Sequence, residues 1–132
     1  FMFQKEVADR ILAKSKTKQY GRLTILANYR LDIVKSFSIS KNCFFPIPAV
    51  DSKVIVFKPK LNVKYKINNI KNLEHITNIF FSGKRKMINK ALARIFKNHI
   101  SVSKRYKIDL NLRPSDLSLD QYYKLAEHYE SD

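Results

Sequence analysis

The sequence predicts a mixed α/β segment over residues 1–60 and a small all-helical domain over residues 61–132. Three observations carry that expectation. Residues 31–39 alternate, with Ile33, Phe37 and Ile39 set against Asp32, Ser36 and Ser38, which is the period of a half-buried strand. Val54-Ile55-Val56-Phe57 is an unbroken apolar run, the pattern of a strand buried on both faces. Beyond Pro59 the apolar spacing lengthens to three and four residues, the period of helices.

The elements follow in chain order. Phe1-Met2-Phe3 reads as the tail of a buried strand, and a chain opening on Phe inside such a string is expected to be cut or trimmed from a longer one. Residues 4–14 form a short helix with Val7, Ala8, Ile11 and Leu12 on one face. A polar loop fills 16–21, and Leu23, Leu26 and Ala27 then suggest one or two helical turns. The segments at 31–39 and 54–57 lie close in sequence, so they pair best as antiparallel strands. Between them Phe44-Phe45-Pro46-Ile47-Pro48 is stiff, because each Pro fixes its own φ and pushes its predecessor toward an extended conformation. Residues 61–71 are a polar connection rich in Lys and Asn. Leu73, Ile76, Ile79 and Phe80 mark a helix ending near Gly83, and residues 87–99 mark a second. Ser118 with Gln121 offers a capping box for a last helix, with Leu119, Tyr122, Ala126 and Tyr129 on one face.

Charge narrows the class of partner. Lys and Arg number 26 against 11 Asp and Glu, a net charge of +15, and such a field draws polyanions, nucleic acid foremost. A solvated basic surface is the competing reading. Spread over the whole chain, the charge does not describe a basic amphipathic membrane segment. No apolar run approaches the roughly 20 residues that span a bilayer, and no signal-peptide pattern is present, so no membrane partner is expected. The lone Cys43 excludes an internal disulfide and suits a reducing compartment, so a cytoplasmic location is expected.

If residues 84–99 are one helix, Lys86, Lys90, Arg94 and Lys97 share a stripe at about 100° per residue, opposite Ile88, Ala91, Leu92, Ile95 and His99. No acid occurs between Glu74 and Asp109, and Lys104, Arg105 and Lys107 extend the basic run. Fixed cations without counter-charges suit phosphate tracking, whereas a merely solvated face mixes signs. Gln4-Lys5-Glu6 opens a helix at a strand end, the edge where α/β sheets place ligands, and it reads equally well as a plain helix start with an acidic first turn. His75, His99, His128 and Cys43 show no metal-ligand spacing, so no metal is expected, and Cys43 reads as structural. No Ser/His/Asp set or carboxylate pair emerges.

Four stretches together resemble the rRNA adenine dimethyltransferases of the KsgA (RsmA) type. They are Phe3-Gln4-Lys5-Glu6-Val7-Ala8-Asp9-Arg10-Ile11, Tyr20-Gly21-Arg22-Leu23, Phe44-Phe45-Pro46-Ile47-Pro48-Ala49-Val50-Asp51-Ser52, and residues 81–92 containing Lys84-Arg85-Lys86. The ending, with Leu117-Ser118-Leu119 and Leu125-Ala126, is similar to the family's last helix. The resemblance implies that residues 1–60 are the closing strands of a Rossmann-like S-adenosylmethionine methyltransferase sheet, and that residues 61–132 are the family's rRNA-binding helical domain. It implies dimethylation at N6 of two adjacent adenosines of small-subunit (16S) rRNA in ribosome biogenesis, with the rRNA or 30S subunit as partner and a monomeric enzyme. The Gly-rich cofactor loop and the Asn-Leu-Pro-Tyr-type catalytic motif are then expected upstream of residue 1. Gly21 and Gly83 are the only glycines, so this chain is expected to bind no S-adenosylmethionine and to be inactive alone.

The resemblance also implies site residues. It puts Phe44 at the target-adenine stacking position and Phe45 where the family varies; from the residues alone, both aromatics read better as plugs of the core beneath the loop. An extruded base needs a new stacking surface, worth about 1–3 kcal/mol per base. Lys84, Arg85, Lys86, Lys90, Arg94 and Lys97 are the expected RNA-binding set. Two alternatives stay open: a large-subunit rRNA adenine methyltransferase of the antibiotic-resistance type, and a non-catalytic RNA-binding or ribosome-assembly module.

Overall fold

The alternating segment and the apolar run do pair antiparallel. In a computed structural model, which describes residues 1–61 and 63–131, β1 (Met2–Gln4), β2 (Leu31–Ile39) and β3 (Ser52–Pro59) form one sheet in the order β1-β3-β2. Between β1 and β2 come α1 (Lys5–Leu12) and α2 (Arg22–Arg30); after β3 come α3 (Ile70–Phe81), α4 (Asn89–Ile95), α5 (His99–Arg105) and α6 (Leu119–Ser131). Both neighbours of β3 run antiparallel to it.

A bulge changes the expected faces. Ile33 pairs with Phe57 but Lys35 pairs with Val56, so Val34 is the extra residue of β2. One added residue moves everything beyond it to the other face. Ile33 therefore stays with Phe57 and Ile55, whereas Phe37 and Ile39 oppose Val54 and Ser52 on the reverse side. The predicted apolar set of β2 is thus split in two, and Phe37 is 49% exposed. The expectation that β3 is buried on both faces also fails among the described residues. Ile55 is buried beneath α1 in a small core with Ala8 and Ile11, while Val54 and Val56 are only half-buried.

α2 runs longer than the one or two turns its pattern suggests. Leu26 packs on the larger core and Ala27 on the smaller one, so the helix is covered on two sides. Its fully buried residues are Thr24, Ile25 and Tyr29, and Leu23 is 39% exposed. α2 also closes the end of α1, whose last carbonyls lack helical partners. The Thr24 hydroxyl donates to the Arg10 carbonyl, and the Asn28 amide donates to the Ile11 carbonyl at 3.1 Å.

The larger core takes Tyr20, Ile25 and Tyr29 from the first sixty residues and surrounds them with α3, α6 and the segment before α3. The Tyr29 hydroxyl donates to the Tyr65 carbonyl and accepts the Ile67 N–H, both at 2.7 Å. Tyr123 donates to the Ile25 carbonyl at 2.6 Å, and its ring lies 5.3 Å from that of Tyr29 and 5.9 Å from that of Tyr65. The stretch expected to be a polar connection therefore buries Tyr65 and Ile67; Asn62 within it lies outside the described residues.

α3 matches its periodicity, with Leu73, Ile76 and Phe80 buried. Its N-terminus is closed from a distance: Glu130 of α6 accepts the N–H groups of Asn68 and Asn69 at 2.7 and 2.9 Å and the Asn72 amide at 2.8 Å. Burial pushes the Glu130 carboxyl up, but these donors outweigh it and hold it below its ordinary value. α6 opens with the expected capping box, as Ser118 N–H meets Gln121 Oε1 at 2.9 Å and Gln121 N–H meets Ser118 Oγ at 3.2 Å.

The single helix over 87–99 is not formed. α4 stops at Ile95, Phe96 adopts an extended backbone, and α5 begins at His99. Phe96 is buried there, with its ring 5.5 Å from His128 and 6.2 Å from Tyr129 on α6.

Tyr29→Phe leaves the buried Tyr65 carbonyl and Ile67 N–H without their shared partner. The expected loss is about 2–4 kcal/mol, read from the urea midpoint. Tyr123→Phe removes a second bond from a carbonyl inside α2 and should cost less, about 1 kcal/mol.

Candidate functional site

Where β1 ends and α1 begins, the chain folds three other segments around one cleft of about 980 Å³. Gln4, Lys5 and Glu6 form one wall, Tyr20, Gly21 and Arg22 a second, and Ala49, Val50 and Asp51 a third. Phe81 and Lys84 close it from the end of α3. The four stretches that carry the family resemblance, far apart in sequence, thus meet at a single place.

The cleft's charge balance is set by internal pairing. Its cations are Lys5, Arg10, Lys18, Arg22, Lys41 and Lys84, and its acids are Glu6, Asp9 and Asp51. Glu6 pairs with Arg10 at 2.9 Å, and Asp9 binds both Lys53 at 2.5 Å and Lys5 at 3.1 Å. Among the described residues Lys18, Arg22, Lys41 and Lys84 make no ion pair, so their charge is left to face solvent or a ligand. The hydrogen bonds from Lys53 and then Lys5 hold the Asp9 carboxyl below its usual value.

The aromatic loop spans from β2 to β3, and both of its ends line the cleft. It starts with a 3₁₀ turn, Lys41–Cys43, in which Ser40 Oγ accepts the Asn42 N–H at 3.2 Å and Asp51 Oδ1 accepts the Lys41 N–H at 2.8 Å. The Phe44 N–H closes the turn on the Lys41 carbonyl at 3.3 Å, and the Lys5 N–H donates to the Asp51 carbonyl at 3.0 Å. Phe44 is half-buried, Phe45 is 100% exposed, and the Phe45–Pro46 bond is cis. The residue-level reading of both aromatics as core plugs therefore fails for Phe45. Cys43 is exposed with a free thiol.

All six basic residues expected to contact RNA are exposed, but they do not form one stripe. Lys90 and Arg94 sit one turn apart on α4, Lys86 precedes that helix, and Lys97 lies in the break that follows it. Lys84 alone of the six lines the cleft, and its ammonium donates to the Lys18 carbonyl at 2.5 Å. Arg85 fixes its neighbourhood through its backbone, its carbonyl accepting from Arg113 Nε at 2.9 Å. The spacing argument missed Lys18 and Lys41, which stand in loops where periodicity carries no signal; Arg22 lay within a stretch already singled out. Among the described residues no three His, Cys, Asp or Glu side chains could hold a metal ion. No described helix is long and apolar enough to cross a membrane.

The structure is thus that of an α/β protein with a cleft at the end of its sheet, lined by six cations and three acids and flanked by a proline-stiffened aromatic loop. The chain belongs to the ribosomal RNA adenine dimethylase family, which matches residues 1–131. It is 46% identical to the ribosomal RNA small subunit methyltransferase A of Pelagibacter ubique (strain HTCC1062), over 98% of this chain and 49% of that protein. It is 38% identical to the enzyme of the same name from Buchnera aphidicola subsp. Schizaphis graminum, over 97% of this chain and 46% of that protein. The chain spans about half the length of the curated relatives it matches. Its fold is similar to a dimethyladenosine transferase from Plasmodium falciparum, with a TM-score of 0.81 at 24% identity over 98% of this chain and 56% of that one. It is also similar in fold to the 23S rRNA methyltransferase ErmE, with a TM-score of 0.61 at 18% identity over 98% and 53% of the two chains.

The Asp9 cluster has a pH signature. A carboxyl with a lowered native pKa contributes stability that is present above its unfolded value of about 3.9 and is lost as pH falls through the native value. Asp9→Asn should therefore lower stability at neutral pH, and its difference from wild type should narrow as the pH drops below about 4. Urea melts at stepped pH measure this; a constant difference would count against the pairing.

Proposed function

We propose that this chain is the substrate-side half of an S-adenosylmethionine-dependent enzyme that dimethylates N6 of two adjacent adenosines in small-subunit rRNA during ribosome biogenesis. The observation that carries the reading is the convergence of the four separated stretches on one basic cleft, with the aromatic loop anchored at its edge. The names of the relatives support the small subunit as the source of the RNA. In this reading residues 1–60 close a Rossmann-like methyltransferase sheet, residues 61–132 are the rRNA-binding domain, and the enzyme works as a cytoplasmic monomer on the rRNA or 30S subunit.

The residues present do not fit the cofactor. A Cβ on Gly21 would approach nothing nearer than Phe81 at 4.0 Å, and one on Gly83 would meet only the Lys86 side chain, from 3.5 Å. Gly21 heads α2 and Gly83 follows α3, so the two glycines belong to separate turns and form no Gly-rich loop of the kind that cradles a cofactor. S-adenosylmethionine is therefore assigned to the part of the relatives' length that this chain does not span, and the chain alone is inactive. Its own contribution is positioning, which in-line transfer of an activated methyl group chiefly requires. Phe44 stacks on the extruded adenine, and Lys84, Arg85, Lys86, Lys90, Arg94 and Lys97 hold phosphates.

Phe44→Ala in the full-length parent should lower adenosine methylation by roughly 5- to 100-fold, the equivalent of one lost base stack, with RNA affinity nearly intact. Phe45→Ala should leave the thermal melt unchanged, because the side chain is fully exposed. Wild-type turnover by Phe44→Ala would end the stacking assignment. Changing Lys86, Lys90 and Arg94 together to Gln should weaken RNA binding and make the log–log salt slope shallower by roughly 0.7–0.9 for each phosphate no longer neutralised. Stability should move by no more than about 0.5 kcal/mol per site. Unchanged affinity and slope would identify these cations as a solvated face.

A further inference from the structure

We infer that Asp51 is the positioning residue of the aromatic loop: it fastens the turn that carries Phe44 to the start of α1, and so fixes where the Phe44 ring stands relative to the cleft. The inference rests on the base-stacking role proposed for Phe44. Its basis is the double engagement of one residue. The Asp51 carboxylate takes the Lys41 N–H at 2.8 Å, and its carbonyl takes the Lys5 N–H at 3.0 Å. From Lys41 the path to Phe44 is one further bond, the Phe44 N–H on the Lys41 carbonyl at 3.3 Å.

Ser40 holds the turn to the end of β2, its carbonyl taking the Cys43 N–H at 3.0 Å, but among the described residues Asp51 is the one whose hydrogen bonds tie it across to α1. The β2–β3 ladder ends at Ile39 opposite Ser52, so beyond that pair the Lys41–Asp51 bond is what closes the loop's ends. Phe45, Ile47 and Val50 are exposed, and the loop has no apolar anchor of its own beyond half-buried Phe44. A carboxylate on a backbone N–H is among the stronger hydrogen bonds available at a surface. Because Asp51 is itself exposed, its loss should free the loop without unfolding the domain.

The test uses the full-length parent with a nitroxide on Cys43, any cysteines outside residues 1–132 being replaced. Cys43 lies in the fastened turn and is exposed, so the label reports the turn's mobility directly. Asp51→Ala should mobilise the label and lower kcat for rRNA methylation about tenfold, the worth of one charge-assisted hydrogen bond, with KM for RNA and the thermal melt little changed. Asp51→Asn keeps an acceptor oxygen without the charge and should fall between wild type and Asp51→Ala in both readouts. In a Phe44→Ala background, Asp51→Ala should add no further loss of kcat.

An immobile label in Asp51→Ala overturns the inference. So does an Asp51→Asn variant as impaired as Asp51→Ala, which would place the effect in the charge. A rise in KM alone overturns it too, by making Asp51 an RNA contact. A mobilised label combined with a silent Phe44→Ala would overturn the stacking reading instead, and would support Asp51 as the fastener of a loop with another task.

Discussion

Everything in this structure is referenced to α2, a nine-residue helix covered on two sides. Ala27 packs on the small core under the sheet, and Ile25, Leu26 and Tyr29 pack on the larger core with α3 and α6. Its polar side chains close the end of α1, and its Tyr29 hydroxyl and Ile25 carbonyl are bonded to the helical part. A helix so placed cannot shift against one layer without opening the other, because close-packed interiors do not deform gradually. The change of element type near residue 60 is therefore not a gap between two cores. Gly21 and Arg22, at the head of this helix, stand in the cleft wall, so the cleft inherits the rigidity of both layers.

The electrostatics follow from the same arrangement. The acids of α1 are used locally, Glu6 on Arg10 and Asp9 on Lys5 and Lys53. Elsewhere Glu127 and Glu130 accept backbone N–H groups ahead of and at the start of α3. With the few acids committed to structure, the excess Lys and Arg behave as an uncompensated field, and the cleft keeps unpaired cations from three separate loops. A uniform excess of charge in the composition thus becomes a located one.

What was legible in the sequence, and what was not, divides along physical lines. The β2–β3 pair, α3 and the α6 capping box were readable because each rests on short-range period or a local side-chain bond. The bulge at Val34 was invisible, since one added residue leaves the composition of a strand untouched while exchanging its faces. The break at Phe96 was hidden because apolar residues continue at a helical spacing of four through Leu92, Phe96 and Ile100. α2 looked weak because burial on two sides erases the one-sided pattern that marks a surface helix. Tyr65 and Ile67 were lost among Lys and Asn, although their backbone groups serve the buried Tyr29 hydroxyl. For the candidate site, the motif strings named the segments, but only folding could show that they surround one cleft.

Under the proposed function this geometry meets a demand that neither half of the chain could meet alone. Phosphate contacts set the register of an RNA and carry most of its affinity, whereas a stacking ring acts on one base. The two are useful together only if the distance between them is held, since misplacement of about 1 Å can cost a hundredfold in rate. The loop with Phe44 is tied to the start of α1, α1 is capped by α2, and α2 is locked to α3 and α6, beyond which the cations of the helical part lie. Lys84 adds a direct strut from the end of α3 to the loop ahead of α2. A base-handling loop and a phosphate-holding surface on separate, loosely linked domains would have to find that distance at each encounter. Here it is built into a shared core.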